Sequence, residues 1–136
     1  MNTIYPAFAM MALTILVMLR MVLSRFSAVK AGKIDAKFFR LNRGYEEPAE
    51  LAVQTRHVTN HFETPVIFYA LCLFATVTGQ TGIVVASLTW TYVVCRCIHS
   101  YVHLSSNIVM NRLRIFAMSI LILIGLWGTI LVGIMS

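Results

Sequence analysis

Charge is what this chain lacks most. Only 12% of its 136 residues are Asp, Glu, Lys or Arg, where an ordinary soluble domain carries about 25%. The apolar share is 59% and the mean hydropathy is +0.80. A soluble domain of this size buries only roughly two-thirds of its unfolded surface, so it cannot hide that much apolar area. Disorder is excluded as well, because it requires low hydrophobicity. Acids are the scarcest charges, five against 11 Lys and Arg, giving a net charge of +6. In a soluble protein that excess would suggest nucleic acid. Here the basic stretch lies between apolar runs, where membrane topology and lipid headgroups account for it, and no nucleic-acid partner is expected. Cysteine is sparse too. Cys72, Cys95 and Cys97 lie in or beside apolar runs, and the chain has no CxxC. That excludes a disulfide framework and leaves three small hydrophobes. No internal repeat, low-complexity tract or second domain is visible, so residues 1–136 read as one membrane domain.

What remains is an all-α integral membrane protein, a bundle of four transmembrane helices. A span needs about 20 residues. The first run, 5–24, and the last, 115–135, meet that length. The central runs, 66–77 and 83–95, do not, and Gly79-Gln80-Thr81-Gly82 separates them as a tight turn. Each central helix must therefore extend away from the turn. The second continues backward through Arg56-His57-Val58-Thr59-Asn60-His61-Phe62-Glu63, and the third forward through Arg96-Cys97-Ile98-His99-Ser100-Tyr101-Val102-His103. The expected helices are 5–24, 48–78, 83–104 and 113–135, with Pro48 suited to a first turn. Segment 25–43 holds Arg25, Lys30, Lys33, Lys37, Arg40 and Arg43 against Asp35 alone, and the last connection adds Arg112 and Arg114. By the positive-inside rule those connections are cytoplasmic and both termini lie on the other side. Phe38 and Phe39 are expected at headgroup level.

Two polar stripes result. Arg56, Asn60 and Glu63 recur at i, i+4, i+7 and share a helical face; Arg96, His99 and His103 at i, i+3, i+7 do the same on the next helix. Glu63 lies 15 residues before Thr78, and Arg96 lies 13 after Ile83. At ~1.5 Å per residue these depths agree, so Glu63 and Arg96 are expected to pair across the hairpin. An unpaired charge there would cost at least ~2.5 kcal/mol. Ionisable residues within spans are site candidates by default. His57 with His61, and His99 with His103, have the spacing of metal chelates. The first pair is offset from the Arg56–Asn60–Glu63 face, so the two pairs are not expected to converge on one ion, and no metal site is assigned. Gly125, Thr129 and Gly133 form a small-residue stripe for close helix packing.

The run Gln54-Thr55-Arg56-His57-Val58-Thr59-Asn60-His61-Phe62-Glu63-Thr64-Pro65, with Arg96-Cys97-Ile98-His99 on the next helix, resembles the MAPEG family. These are membrane-associated proteins in eicosanoid and glutathione metabolism; the third-helix motif is similar to that of the membrane prostaglandin E synthase branch. The resemblance implies a homotrimer with glutathione, as co-substrate, bound between subunits near the cytoplasmic face. It implies transferase, peroxidase or isomerase chemistry on lipophilic electrophiles. Carried across, Arg56, Asn60, Glu63, Arg96, His99 and His103 would bind glutathione. The family's thiolate-stabilising arginine would be Arg112, or Arg114 in a shorter loop register. His103 stands where the family has a tyrosine, and Thr59 where a second basic residue is frequent. The expected function is a glutathione-dependent transferase or peroxidase of a bacterial inner membrane or of the endoplasmic reticulum. Its partners would be other copies of itself, membrane lipids and a lipophilic substrate. The alternatives are a non-catalytic lipid-binding or scaffold protein of the same fold and a His-ligated metal or haem protein.

Overall fold

The computed structural model describes residues 3–41 and 46–136. Arg43 of the basic segment, and Met1 and Asn2, lie outside the described residues. The chain forms α1 (Ile4–Lys30), α2 (Phe38–Leu41), α3 (Ala49–Val77), α4 (Ile83–Leu104) and α5 (Val109–Met135). By length and apolar composition, α1, α4 and α5 are each able to cross a bilayer. At 29 residues, α3 is long enough as well, but its first half carries Glu50, Arg56 and Glu63. Three spans therefore stand on composition, and α3 is the helix packed among them.

Two boundaries differ from the sequence reading. α1 continues six residues beyond Ser24, to Lys30, because Ala28 is buried there with Ile34, Phe38 and Leu51 in a small second core. α5 starts at Val109 rather than at 113, so the basic Asn111–Arg112 turn belongs to the helix. The same small core takes up Phe38, whose ring is buried within the protein. Phe39 is half-buried, with the Arg25 guanidinium 5.1 Å from its ring centre.

The main core is a column of Met10, Phe68, Leu71, Cys72, Ala75, Tyr92, Leu123, Leu126 and Ile130. Outside it the surface is greasy, with Phe8, Leu23, Leu121 and Val132 all exposed. Such a belt would be unfavourable in water and is the natural surface of a protein solvated by lipid. α1 lies chiefly against α3, and α4 chiefly against α5. At one end the Thr3 and Thr76 hydroxyls meet at 2.7 Å, and the Gln80 side-chain amide donates to the Gly133 carbonyl at 2.7 Å. Gly79, at φ +72°, makes the turn between α3 and α4. A methyl group added to Gly125 would meet no other part of the subunit within 4 Å, whereas one on Gly133 would meet the Gln80 side chain, so the glycines of the α5 small-residue stripe are closely packed within the subunit at its Gly133 end and open at Gly125. The opposite end, with Lys30, Lys33, Lys37 and Arg40, is the basic end.

Candidate functional site

Both stripes lie on continuous helix, and the structure turns them in different directions. On α4, Arg96, His99 and His103 all face inward and are at most 1% exposed. On α3, Arg56 and Glu63 are exposed and Asn60 is half-buried. The stripe of α3 that faces the core is instead His57, His61, Thr64, Phe68, Leu71 and Ala75.

This rotation removes the expected ion pair. The Arg96 guanidinium donates through Nη2 to the backbone carbonyl of Asn60 at 3.0 Å, and not to Glu63. Among the described residues the one ion pair is Lys33–Glu50, exposed and 3.6 Å apart. Depth was the right criterion and azimuth the missing one. Because α3 leans chiefly on α1, the side of α3 carrying Glu63 is left facing outward. Arg96 finds its acceptor one residue before the carbonyl of His61, which Pro65 deprives of its helical donor. Its Nε and Nη1 have no partner, and its carbon centre lies 5.9 Å from the Phe116 ring centre.

The four histidines form one chain of ring contacts. His57 lies 4.7 Å from His103 and 5.0 Å from His61 between ring centres, and His99 lies 5.8 Å from His103. His61 ties three helices together, with Nε2 3.0 Å from the Ser100 hydroxyl and Nδ1 3.3 Å from that of Thr14. His57 has no partner on either ring nitrogen. Among the described residues no group of three or more His, Cys, Asp and Glu side chains has the arrangement of a metal site. The sequence reading missed His57 and His61 as core residues. The signal was present: stepping back from Phe68 by threes and fours lands on Thr64, His61 and His57.

Two of the clefts at the basic end are lined by residues of the polar stripes. The first, about 180 Å³, is lined by Asn60, His99 and Arg112 with Val109, Leu113 and Phe116. The second, about 400 Å³, is lined among others by Arg20, Glu50, Gln54, His103 and Asn107. The α4–α5 turn divides them. Its residue Asn107 sits at φ +49° and accepts a hydrogen bond from Arg112 Nη1 at 2.9 Å. Asparagine is among the few residues that tolerate this left-handed backbone. Arg112 thus reaches the first cleft already oriented, whereas Arg114 is exposed and lines neither. A half-buried guanidinium beside an imidazole and an amide, with a wall of Phe116 and Leu113, suits an anionic polar ligand that meets an apolar one.

A family-level comparison matches residues 3–132 to the MAPEG family. The chain belongs to the MAPEG family. The match takes in all four long helices and both polar stripes, not only the dozen residues that carried the resemblance. Neither curated proteins nor solved structures give a significant match. Membership and its three long apolar helices make this MAPEG protein an integral membrane protein.

Proposed function

We propose that this MAPEG protein is a membrane glutathione-dependent transferase or peroxidase acting on lipophilic electrophiles. The observation that carries the reading is the first cleft, where Asn60, His99 and Arg112 stand together beside Phe116 and Leu113. Glutathione carries two carboxylates and one ammonium, which call for arginines and an acid. Arg56 and Glu63, exposed on the same helix as Asn60, supply these from the outward face. They complete a pocket when a second copy lies against α3, so the working unit is a homotrimer with its sites between subunits. Arg96, with its carbon centre 5.9 Å from the Phe116 ring, backs this cleft, whereas His103 lines the second one. Arg112 holds the thiolate, since a guanidinium favours the charged form of a nearby thiol. The basic end faces the cytoplasm, α3 is the fourth span, and residues 1–136 act as one membrane domain. The acceptor enters from the bilayer past the apolar side of the cleft.

The test is direct. Protein purified in detergent should bind glutathione by calorimetry, and with it conjugate 1-chloro-2,4-dinitrobenzene or reduce a lipid hydroperoxide. No binding at millimolar glutathione sinks the reading. Binding without turnover on either substrate leaves the lipid-binding or scaffold role in its place.

A further inference from the structure

We propose that the inward-facing histidines of α4 carry a proton from the Arg112 cleft to the separate cleft at the basic end, with His103 as its acceptor. The inference rests on the reading above, in which a thiol ionises beside Arg112.

The two clefts have no lining residue in common. At the surface the partition is the hydrogen bond between Asn107 and Arg112. Beneath it lie His99 and His103, one turn apart on α4, with ring centres 5.8 Å apart. His99 lines the first cleft and His103 the second. Nε2 of His103 lies 3.2 Å from the Val53 carbonyl. A carbonyl only accepts, so Nε2 carries the hydrogen and Nδ1 keeps its lone pair. That Nδ1 is buried without a partner, and so are both ring nitrogens of His99. Buried polar atoms left open in this way mark the place of water or of a passing ligand. The Val53 carbonyl therefore holds His103 in the tautomer whose Nδ1 is free to receive a proton. On the far side the cleft of Arg20, Glu50 and Gln54 offers water to take it on.

In the step itself the thiol S–H bond breaks and sulfur keeps the electron pair. An N–H bond forms on His99, and the proton passes through bridging water to Nδ1 of His103. His103, now carrying hydrogen on both ring nitrogens, gives the one on Nε2 to water in the second cleft and keeps the other on Nδ1; passing that hydrogen back to Nε2 through water restores the tautomer that the Val53 carbonyl favours. One proton is released for each thiolate formed. With ligand in the first cleft and a second copy against α3, this route leaves the proton an exit that neither of them blocks. His103 is a relay residue and touches neither sulfur nor acceptor.

The full chain in detergent is mixed rapidly with glutathione, following thiolate absorbance in the ultraviolet and proton release with an indicator dye in weak buffer. His103→Gln keeps a donor for the Val53 carbonyl and removes the basic nitrogen; His103→Phe removes both. Each variant should slow thiolate formation and proton release together by about tenfold or more, with the calorimetric affinity for glutathione unchanged. Added imidazole should restore the rate. If His103→Phe does not fold, His103→Gln carries the same expectation. An unaltered rate in His103→Gln overturns the relay and leaves the glutathione reading standing. A weakened affinity that imidazole does not restore also overturns it, and makes His103 a binding residue. No thiolate in the unsubstituted protein overturns the glutathione reading, and the relay with it.

Discussion

Neighbouring helices α3 and α4 carry polar stripes of similar make and opposite fate. The stripe of α4 is enclosed: the helix packs on α5 and also touches α1 and α3, so Arg96 is fully buried and His99 and His103 meet the surroundings at the two clefts they line. The stripe of α3 is open, with Arg56 and Glu63 outside and the histidines behind them turned to the core. The difference separates two jobs that a list of polar residues would merge. Enclosed groups are satisfied, or left waiting, by the chain itself. Outward groups in a membrane helix must be satisfied by something else, and a headgroup, a ligand or a second copy are the choices. Substitutions inside should move stability, and substitutions outside should move binding.

The largest effect tests the cleft between the two stripes. Arg112→Ala should lower kcat for conjugation by about a hundredfold, the loss seen when one charge-stabilising donor is removed. Its thermal midpoint in detergent should hardly change. Next is His61→Ala, on the enclosed side, which abandons the Ser100 and Thr14 hydroxyls. It should lower unfolding free energy by about 2 kcal/mol, read as a lower midpoint without ligand. Glu63→Gln belongs to the open side and should weaken glutathione by about tenfold, roughly 1.4 kcal/mol. Its midpoint without ligand should match the parent. A midpoint several degrees lower would mean that Glu63 is buried against another copy and that the open side is not open. The smallest is Gly133→Ala. The new methyl displaces the Gln80 side chain and forfeits one hydrogen bond, while helix propensity improves, so the net change should stay within about 0.5 kcal/mol.

The sequence made α1, α4 and α5 legible as spans because lipid imposes a length and a composition that hydropathy reads directly. The turn at Gly79 was equally plain. Helix ends were harder: Ser24, Arg25 and Ser27 look like a connection, and only the tertiary burial of Ala28 shows why the helix runs on. The composition of the candidate site was legible too, since Arg56, Asn60 and Glu63 share a face as their spacing requires. The direction of that face was not. Spacing fixes which residues lie together on a helix, but its rotation is set by the neighbours. α3 leans on α1, which the sequence gives no means of preferring over α4. The pairing of Arg96 with a backbone carbonyl was hidden for the same reason, because a carbonyl carries no signal in the amino-acid code. Asn107 in its left-handed turn, orienting Arg112, is another feature that only the backbone reveals.

The loop between α1 and α2 offers a way to read orientation from outside. Lys30, which ends α1, and Lys33 and Lys37 beyond it are exposed, and Gly32, at φ +68°, lies in the turn that leads into the stretch carrying the last two. A protease that cuts after lysine needs an extended, accessible segment, and exposed loops of this kind supply it. Sealed vesicles would present this loop on only one face. If the basic end is cytoplasmic, trypsin should cut the chain here in inverted vesicles and spare it in right-side-out ones until detergent is added. The buried cluster of Ala28, Ile34, Phe38 and Leu51 should hold the two fragments together after the cut. The nick would then separate on a denaturing gel while the particle keeps its size in solution.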